Sequence, residues 1–518
     1  ATTNWTSDNG NIDEGVTFSE VCAPEGYTYV PDNNFEQALI DLGYDDTIDD
    51  LVLTANISSA TSLNVYSQDI SDLTGIEDFS SLTDLSCYNN RLTSLDLSSN
   101  TLLTNLICHE NDLTTLGISG NTALTYINCY SNQLTSLDVS ANTALTYLSC
   151  YNNNLTSLDL SNNTALNNLS CGSNPLTSLD LSNNTVLSVL SCYSNQLTSL
   201  DVSANTALTD LSCYSNQLTS LDVSTNTALW RLESYSNQLT TLDLSTNTVL
   251  TNLSCGSNQL TYLNMKNVVV DQMEYFSSTD NSLDCIRVNA EDVDWATENW
   301  TNDNGNIDEG VSFSAGCVPE GYTYVPDDNF EQALIDLVGT DDTIDDLVLT
   351  TDISSITFLD INNEQISDLT GIEAFTALDT LWCSNNQLTT LDLSTNTGLL
   401  NLNCQLNQLT TLDLSENTAL KDLNCQINQL TSLDLSTVTD LTLLNCYNNQ
   451  LTTLDVSNNT ALVSLWCYDN QLTVLDVSAN TGLSDLKCHE NQLTALDVSA
   501  NTALTDLWCY ENQLTTLD

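Results

Sequence analysis

The chain has 518 residues, of which 69 are Asp or Glu and 6 are Lys or Arg, giving a formal net charge of −63. So acidic a protein cannot neutralise phosphates, which excludes nucleic-acid binding and argues against docking on an anionic membrane surface. No apolar run approaches the roughly 18–20 residues of a membrane-spanning helix. A hydrophobic content of 41% is sufficient for a folded core, and only two histidines, His109 and His489, are present, which argues against histidine-based catalysis.

The longest repeat in the chain begins at its first residue. Residues 1–22 return almost unchanged as 296–317, and residues 26–42 return as 321–337. We therefore predict tandem modules, one complete and most of a second, and we expect the chain to be a stretch of a longer array. Residues 1–22 are interpreted as the end of a preceding module's C-terminal cap.

An amphipathic helix is predicted near the start of each module, in the sequence VPDNNFEQALIDLG at 30–43. Asp32 is a suitable N-cap, and Gly43 is a suitable end of the helix. The predicted apolar face consists of Phe35, Leu39 and Leu42. The copy at 325–338 has Val338 in place of Gly43.

Residues 84–265 and 380–518 consist of units, or rungs, that are 21 residues long. The rung at 134–154 reads LTSLDVSANTALTYLSCYNNN, and almost all of the remaining rungs have a cysteine at the same position. In the half-unit LxxLxCxxN, apolar and polar positions alternate as in a strand with one buried face. One rung cannot bury that face alone, so neighbouring rungs must stack as parallel strands about 4.8 Å apart. The predicted inward residues of this rung are Leu137, Val139, Leu145, Leu148 and Cys150.

Two columns of asparagine mark the turns of each rung. One asparagine follows the cysteine by three residues, as at Asn153, and the other ends the second half-unit, as at Asn163. We expect their amides to satisfy backbone groups that the turns leave unpaired. Val438 interrupts the second column, which predicts a local irregularity at that rung.

The repeat pattern decays after Leu263, and residues 266–317 are interpreted as the C-terminal cap of the first module. The stretch NVVVDQMEYFSST is interpreted as a variant final rung, and SLDCIRVNAEDVDWATENW, continuing to Cys317, as the segment that closes the stack. Cys285 and Cys317 are the only cysteines of the complete module outside the repeat series, which predicts a disulfide between them. Cys22 occupies the position in residues 1–22 that Cys317 occupies in the copy at 296–317.

These motifs resemble the leucine-rich repeats of bacteria, in the short class whose nested period combines LxxLxCxxN with LxxLDLxxN. Residues 65–85 are similar to internalin-type repeats, and the lead-in of helix and repeats resembles that of secreted Bacteroidetes surface proteins. The resemblance implies a β-rich solenoid with parallel sheets, an inner sheet that carries ligand-binding side chains, and extracellular display. With short helical N-caps at 23–83 and 318–379 and disulfide-closed C-caps, the predicted fold is a series of leucine-rich modules.

The cysteine series is open to two interpretations: a redox or metal-binding row, or buried thiols that act as small hydrophobes. In-register neighbours are about 4.8 Å apart, whereas a disulfide favours Cβ atoms about 3.5–4.5 Å apart. A straight row also cannot provide tetrahedral metal coordination. We therefore predict buried thiols.

An aspartate column occupies the outward position of the LD(L/V) half, as at Asp138 and Asp159. It is either a solvated acidic face or a surface partly occupied by Ca²⁺, a cation that suits carboxylate ligands. The sequence SDNGNIDEG and its copy NDNGNIDEG form a second candidate calcium site, or else an Asp/Asn/Gly-rich turn, since the spacing departs from that of a calcium loop. The candidate ligands there are Asp8, Asp13, Asp303 and Asp308.

Aromatic residues mark the outward face of the cysteine half, because tyrosine often follows the cysteine and tryptophan precedes it in three rungs. The candidate ligand-face residues are Tyr130, Tyr151, Tyr193, Tyr214, Trp382, Trp466 and Trp508. They form either a stacked ladder that stiffens the sheet or a platform for sugar rings or a partner protein.

These observations favour a non-enzymatic extracellular protein, a segment of a long surface rod or filament that contacts copies of itself along the array. The alternative is a leucine-rich binding module that captures a glycan or a protein on the Tyr/Trp face. An enzyme is disfavoured, because no Ser/His/Asp, Cys/His or paired-acid constellation stands out from the repeats.

Overall fold

The computed structural model describes residues 23–339 and 344–517. The chain divides into two compact units, with the boundary between Cys317 and Val318; unit 1 precedes it and unit 2 follows it. Each unit has an N-terminal cap followed by a stack of parallel strands. In the described residues, every helix is too short or too polar to cross a membrane.

Each N-terminal cap combines an antiparallel strand pair with two helices. In unit 1 the strands are Tyr27–Tyr29 and Leu51–Leu53, and the helices are Asn33–Asp41 and Thr54–Ile57. In unit 2 the strands are Tyr322–Tyr324 and Leu347–Leu349, and the helices are Asp328–Val338 and Thr350–Ile353.

The first cap helix begins as the sequence predicts. One oxygen of Asp32 accepts hydrogen bonds from the backbone N–H groups of Asn34 and Phe35, at 2.9 and 3.1 Å. Gly43 has φ of 81°. The prediction for Leu42 is wrong: the helix ends at Asp41, so Leu42 turns away from the apolar face and is 47% exposed. In the second cap the helix continues through Val338, and Gly339, with φ of 66°, ends it instead.

The cysteine-containing half-units form the main sheet of each unit, which we call the cysteine sheet. In unit 1 its eleven parallel strands are Ser62–Asn64, Asp84–Ser86, Asn105–Ile107, Tyr126–Asn128, Tyr147–Ser149, Asn168–Ser170, Val189–Ser191, Asp210–Ser212, Arg231–Glu233, Asn252–Ser254 and Tyr275–Ser277. In unit 2 its eight strands are Phe358–Asp360, Thr380–Trp382, Asn401–Asn403, Asp422–Asn424, Leu443–Asn445, Ser464–Trp466, Asp485–Lys487 and Asp506–Trp508. Neighbouring strands pair in register, so that Leu169 lies opposite Leu148 and Leu190.

The LD(L/V) half-units are less regular. They contribute the parallel pairs Ser94–Asp96 with Thr115–Gly117 and Ala495–Leu496 with Thr516–Leu517. Near the end of unit 1 a four-stranded sheet contains Thr241–Asp243, Tyr262–Asn264, Cys285–Arg287 and Ser312–Ser314. The remaining described rungs pass through this half without a regular strand.

The inward columns form a continuous core within each unit. Leu145, Leu148 and Cys150 have no exposed surface, and Leu137 and Val139 are also buried, as predicted. Full burial of one such aliphatic side chain contributes roughly 1.5–3 kcal/mol. Because every rung repeats the arrangement, stability comes from contacts between neighbouring rungs.

The side-chain amides of both asparagine columns form hydrogen bonds with backbone groups at the turns, as predicted. The Nδ2 of Asn153 donates to the carbonyls of Cys129 and Cys150 at 3.1 and 3.0 Å, and its Oδ1 accepts from the N–H of Leu134 at 3.0 Å. In the second column, the Nδ2 of Asn163 donates to the carbonyls of Val139 and Asn142, at 3.0 and 2.9 Å. Each amide therefore connects its own rung to the preceding one.

The irregularity predicted at Val438 is small and local. Val438 is fully buried and cannot donate a side-chain hydrogen bond, but the hydroxyl of the adjacent Thr437 donates to the carbonyl of Leu414 at 3.3 Å. The turn bond from the N–H of Val438 to Leu435 is 3.3 Å long, against 3.0 Å for the same bond at Asn417. Strand register continues through this rung.

The C-terminal cap of unit 1 contains the variant rung, a helix and a disulfide. The strand Tyr275–Ser277 extends the cysteine sheet, and the helix Val293–Asn299 contacts the strand Ser312–Ser314 of the four-stranded sheet. Trp300 is buried and contacts the ring of Phe276, with centroids 4.1 Å apart. The predicted disulfide between Cys285 and Cys317 is present. Short 3-10 turns lie at Ile76–Asp78, Val270–Gln272, Ala290–Asp292 and Ile372–Ala374.

Candidate functional site

The outward face of each cysteine sheet is the candidate functional surface. In every three-residue strand the middle leucine, isoleucine or phenylalanine points inward, so the first and third residues point outward. We call the series of third residues the third-position column. We call the cysteines that recur from rung to rung the ladder cysteines. The residue that follows each of them adds a row of side chains at the carboxyl ends of the strands.

This row contains stacked aromatic rings, which we call tyrosine ladders. The first ladder of unit 1 has ring centroids 4.2–4.8 Å apart and contains Tyr66, Tyr88, His109, Tyr130 and Tyr151. Its second ladder contains Tyr193, Tyr214 and Tyr235, with spacings of 4.8 and 4.4 Å. The ladder of unit 2 contains Tyr447, Tyr468, His489 and Tyr510, with spacings of 4.1–4.4 Å.

Stacking changes the protonation behaviour of the rings. Burial, together with the neighbouring phenol, raises the pKa of Tyr151 and of Tyr214 to about 12, so these hydroxyls are neutral donors at physiological pH. Burial lowers the pKa of His109, although the carboxylate of Glu110 works in the opposite direction. The ladder is therefore an uncharged surface on a strongly acidic protein.

The two ladders of unit 1 are separated by Gly172. The ring of Tyr193 leans over this glycine, and a Cβ atom at position 172 would lie 2.8 Å from three of its ring atoms. Any larger residue at position 172 would displace the ring. Tyr151 and Tyr193 are therefore in separate stacks, whereas Tyr130 contacts Tyr151 and Tyr193 contacts Tyr214.

The third-position column differs sharply between the units. In unit 1 it contains mainly serine, at Ser86, Ser149, Ser170, Ser191, Ser212, Ser254 and Ser277. In unit 2 it reads Asp360, Trp382, Asn403, Asn424, Asn445, Trp466, Lys487 and Trp508. Three asparagines thus lie between two tryptophans on adjacent in-register strands.

A cleft of about 510 Å³ opens on this part of unit 2, and we call it the Trp–Asn cleft. Its lining includes Phe358, Trp382, Asn403, Asp422, Asn424 and Leu443. The rings of Phe358 and Trp382 meet edge to face with centroids 5.1 Å apart. They are 47% and 41% exposed, which leaves a large aromatic surface open to solvent.

The polar groups near the cleft are mostly amides. Asn424 donates to the Oε1 of Gln405 at 3.1 Å, and Gln426 donates to the same oxygen. The side-chain oxygens of Asn424, Gln426 and Asn445 are buried and have no hydrogen-bond partner within the described chain. Gln426 and Asn445 are only 9% and 6% exposed, so their side-chain oxygens lie beneath the outward surface.

The other two predicted tryptophans, Trp466 and Trp508, form cation–π contacts with a lysine side chain. The Nζ of Lys487 lies 3.8 Å from the ring centroid of Trp466 and 5.1 Å from that of Trp508. The Nε1 of Trp466 donates to Asp485 at 2.6 Å. Trp466 is therefore fixed by its neighbours, while Trp382 faces the cleft.

The aspartate column has a structural role that the sequence pattern did not reveal. The Oδ1 of Asp138 accepts a hydrogen bond from the N–H of Ser140 at 2.9 Å, and hydrogen bonds from the side chain and backbone of Ser140 hold the pKa of Asp138 below its usual value. The same backbone bond recurs at Asp96, Asp159, Asp180, Asp201, Asp222, Asp243, Asp392, Asp413, Asp434, Asp455, Asp476 and Asp497. One oxygen of each carboxylate is thus committed to its turn.

The predicted calcium ligands are placed only in part. Asp8 and Asp13 lie outside the described residues. Asp303 is exposed, and the two oxygens of Asp308 accept from the N–H groups of Asp280 and Asn281, at 2.9 and 3.0 Å. Asp308 therefore supports the turn of the variant rung, and calcium binding at this segment stays a prediction.

Within the described residues, one group of three carboxylates is close enough to share an ion: Asp328, Glu331 and Asp346. Glu331 is buried and accepts hydrogen bonds from the N–H groups of Asp345, Asp346 and Leu347, at 3.0–3.1 Å. Burial raises its pKa to about 7. These bonds give Glu331 a clear role in closing the cap of unit 2.

The ladder cysteines are free thiols in the described chain, and those from Cys87 to Cys488 are buried. Burial raises the pKa of Cys129 to about 12, so the reactive thiolate is suppressed. At one rung of unit 1 the ladder position is taken by Ser234, whose Oγ is buried without a hydrogen-bond partner in the described residues. The arrangement supports the buried-thiol interpretation.

A short stretch of the chain is similar in sequence to a known bacterial protein. No family model matches the chain. Internalin J of Listeria monocytogenes serotype 4b (strain F2365) is 41% identical over 90 residues, which are 17% of this chain and 9% of that protein. The chain thus matches about a tenth of the length of this curated relative.

Two solved structures from Listeria monocytogenes are also similar. The functional domain of InlJ, described as including a cysteine ladder, is 29% identical over 91% of this chain and 82% of that chain, with a TM-score of 0.38. An internalin, inlF, is 18% identical over 95% of this chain and 96% of that chain, with a TM-score of 0.31.

Proposed function

We propose, from the premise that the chain is a bacterial leucine-rich repeat protein, that it is a non-enzymatic segment of an extracellular surface protein. In this proposal, modules in series form a long rod or filament and present the outward faces of their cysteine sheets to a partner. The observation that carries it is the contrast between nearly constant buried columns and a third-position column that changes from mainly serine in unit 1 to mainly tryptophan and asparagine in unit 2. Recognition surfaces vary in this way on a constant scaffold.

A role in contact rather than catalysis is supported by the acidic residues themselves. The repeated aspartates occupy equivalent positions and make the same turn bond, as Asp138 and Asp159 do. Catalysis requires a site whose groups differ from their neighbours in environment and partners. The aspartate column offers many equal groups instead.

The extracellular location is supported by the disulfide between Cys285 and Cys317, since such bonds persist in oxidising compartments. The high negative charge suits a solvated surface protein. The serial arrangement is supported by the return of residues 1–22 as 296–317, and copies of the same module along the array are the expected partners.

Microscopy of native material tests this proposal. Negative-stain images of surface material from the source cells, labelled with an antibody against the chain, should show long rods with a regular repeat. Labelled particles that are short and isolated would instead favour the second candidate, a single binding module that captures a ligand on the Tyr/Trp face. Labelling found only inside lysed cells would contradict both.

A further inference from the structure

The geometry points to the Trp–Asn cleft of unit 2 as a binding site for an uncharged glycan chain that lies across the strands of the cysteine sheet. This inference rests on the proposed surface role and names the chemical class of the ligand. The third-position residues that line the cleft are Trp382, Asn403 and Asn424, with Phe358 and Asp422 beside them, and the same column continues past the cleft to Trp466.

The aromatic wall suits a sugar ring. Trp382 and Phe358 are both more than a third exposed and meet edge to face, so the indole surface stays open on the cleft side. The C–H-bearing face of a pyranose is apolar and stacks on such a ring, while its hydroxyl groups remain free at the rim. Two adjacent exposed rings form a contiguous apolar patch, and such patches mark binding sites more often than single exposed rings do.

The amides beside this wall need hydrogen-bond donors. Asn424 and Gln426 spend their N–H groups on Gln405, and their own oxygens, like that of Asn445, are sheltered and without a partner in the described chain. Sheltered acceptors cost free energy until a donor reaches them. Of these three residues Asn424 lines the cleft, and rotation of its side-chain amide turns the oxygen toward a sugar hydroxyl that can donate to it.

The charge of the cleft argues against an anionic polysaccharide, and its position argues against a peptide that binds by strand addition. Among the described residues the cleft is lined by no cation, and Asp422, whose Oδ1 accepts from the hydroxyl of Thr442 at 3.0 Å, adds a carboxylate. With a net charge of −63 on the chain, an anionic polysaccharide would be repelled. A peptide that binds by strand addition needs an exposed sheet edge, whereas the cleft lies on the face of the sheet.

The dimensions favour a chain rather than a single sugar. Trp382 and Trp466 are separated by four strand spacings of about 4.8 Å, or about 19 Å, with the three asparagines between them. The indole of Trp466 is fixed by Asp485 and Lys487, so it forms a rigid end to the column. A glycan of several sugars can contact both ends and the amides between them.

The test is calorimetric titration of the intact chain with uncharged hexasaccharides: cellohexaose, xylohexaose, mannohexaose, maltohexaose and chitohexaose, with a heparin hexasaccharide as the anionic control. We expect saturable binding of at least one uncharged probe and none of heparin. Trp382→Ala should weaken that binding roughly three- to tenfold, which is the usual worth of an aromatic contact. Asn424→Leu, which removes an acceptor without emptying the site, should weaken it about tenfold.

The matched control is Trp230→Ala. Trp230 is 42% exposed, as Trp382 is 41% exposed, but it belongs to unit 1 and is not among the residues that line the cleft. This variant should bind as tightly as the parent chain. Circular dichroism of each variant identifies any that fail to fold, and Asn424→Leu keeps the test informative if Trp382→Ala is one of them.

The outcomes separate this inference from the proposed function. Absence of binding to every uncharged probe at millimolar concentration would overturn the glycan site, while the microscopy above, which does not depend on Trp382, would still decide the surface role. Equal weakening by Trp230→Ala would also overturn it. Periodate destroys sugar rings and leaves polypeptide chains intact. If cell material treated with periodate still binds the parent chain but not the Trp382→Ala variant, the cleft binds a polypeptide and the inference is wrong.

Discussion

In unit 1 the third-position column of the cysteine sheet is mainly serine, whereas in unit 2 the equivalent column is built of tryptophan, asparagine and lysine. The buried columns beneath them are the same leucines and cysteines in the same register. The comparison teaches that the inward positions determine the fold and leave the outward positions free to diverge. A change that affects the scaffold should therefore act alike in both units, and a change on the outward face should act in only one.

The largest expected effect concerns the disulfide of the unit 1 cap, which closes a loop with a sequence separation of 32 residues. Replacing Cys285 and Cys317 with serine should destabilise the end of unit 1 by roughly 2–4 kcal/mol, because the unfolded cap gains conformational freedom. Hydrogen exchange measured by mass spectrometry should become faster in residues 266–317 and stay unchanged in unit 2. Equal acceleration in both units would contradict the assignment of this bond to the cap.

The asparagine column should behave alike in both units. Asn163→Val in unit 1 and Asn480→Val in unit 2 each remove one of the two donors from each of two buried carbonyls, and the loss of two hydrogen bonds costs roughly 1–3 kcal/mol. Local stability can be read from hydrogen exchange in the two rungs. A much smaller loss in one unit would show that the scaffold is not equivalent.

The natural Thr437–Val438 pair provides the matched control for that substitution. Combining Asn162→Thr with Asn163→Val reproduces the pair in unit 1, where the new threonine can donate as Thr437 donates to Leu414. The double variant should recover about 1 kcal/mol of the loss, the worth of one hydrogen bond. A double variant no more stable than Asn163→Val would show that the threonine does not compensate.

The interrupted ladder of unit 1 can be converted to the uninterrupted form of unit 2. Ser234→Cys replaces a buried hydroxyl that lacks a partner with a thiol, and should stabilise that rung by roughly 1–2 kcal/mol. Cys213→Ser in the neighbouring rung is the reciprocal change and should destabilise by a similar amount. Urea denaturation of the two variants measures both effects, and a loss of stability in Ser234→Cys would count against the thiol column as a packing column.

The smallest expected effect is a pH dependence that the two units share. Burial lowers the pKa of both His109 and His489, so the folded chain resists protonation more than the unfolded chain does. The contribution of these histidines to stability should therefore decline as the pH falls below the unfolded value of about 6.5, while the raised pKa of Glu331 acts in the opposite direction. On going from pH 7.5 to 5.5, the melting temperatures of the His109→Tyr and His489→Tyr variants should therefore rise relative to that of the parent chain; an unchanged offset from the parent would contradict this.

Much of this architecture is predictable from the sequence, because a fixed period forces equivalent residues into equivalent places. The inward leucines, the asparagine turns, the Asp32 cap and the Cys285–Cys317 pair all follow from that rule. The exposed Leu42 does not, because helix ends depend on a competition of single residues. The left-handed residues two positions after each cysteine, such as Ser131 and Ile427, were also missed, since no glycine marks them.

The candidate site was predictable only in part. The outward tryptophans are visible in the sequence, but the functions of Trp382 and Trp466 separate only when contacts to Phe358 and Lys487 are known. Writing the rungs of unit 2 beneath one another would have shown three asparagines between two tryptophans. The shared bonding of Asn424 and Gln426 to Gln405 depends on side-chain geometry that no spacing rule contains.

Labelling of the thiols in the folded chain tests the stacked-rung scaffold most directly. The native protein is treated with a bulky maleimide and the modified cysteines are counted by mass spectrometry, with a denatured sample as the reference. The ladder cysteines from Cys87 to Cys488 should stay unmodified until denaturation, and Cys509, which is partly exposed, should react first. Rapid modification of most ladder thiols in the native protein would contradict the buried column and the scaffold that depends on it.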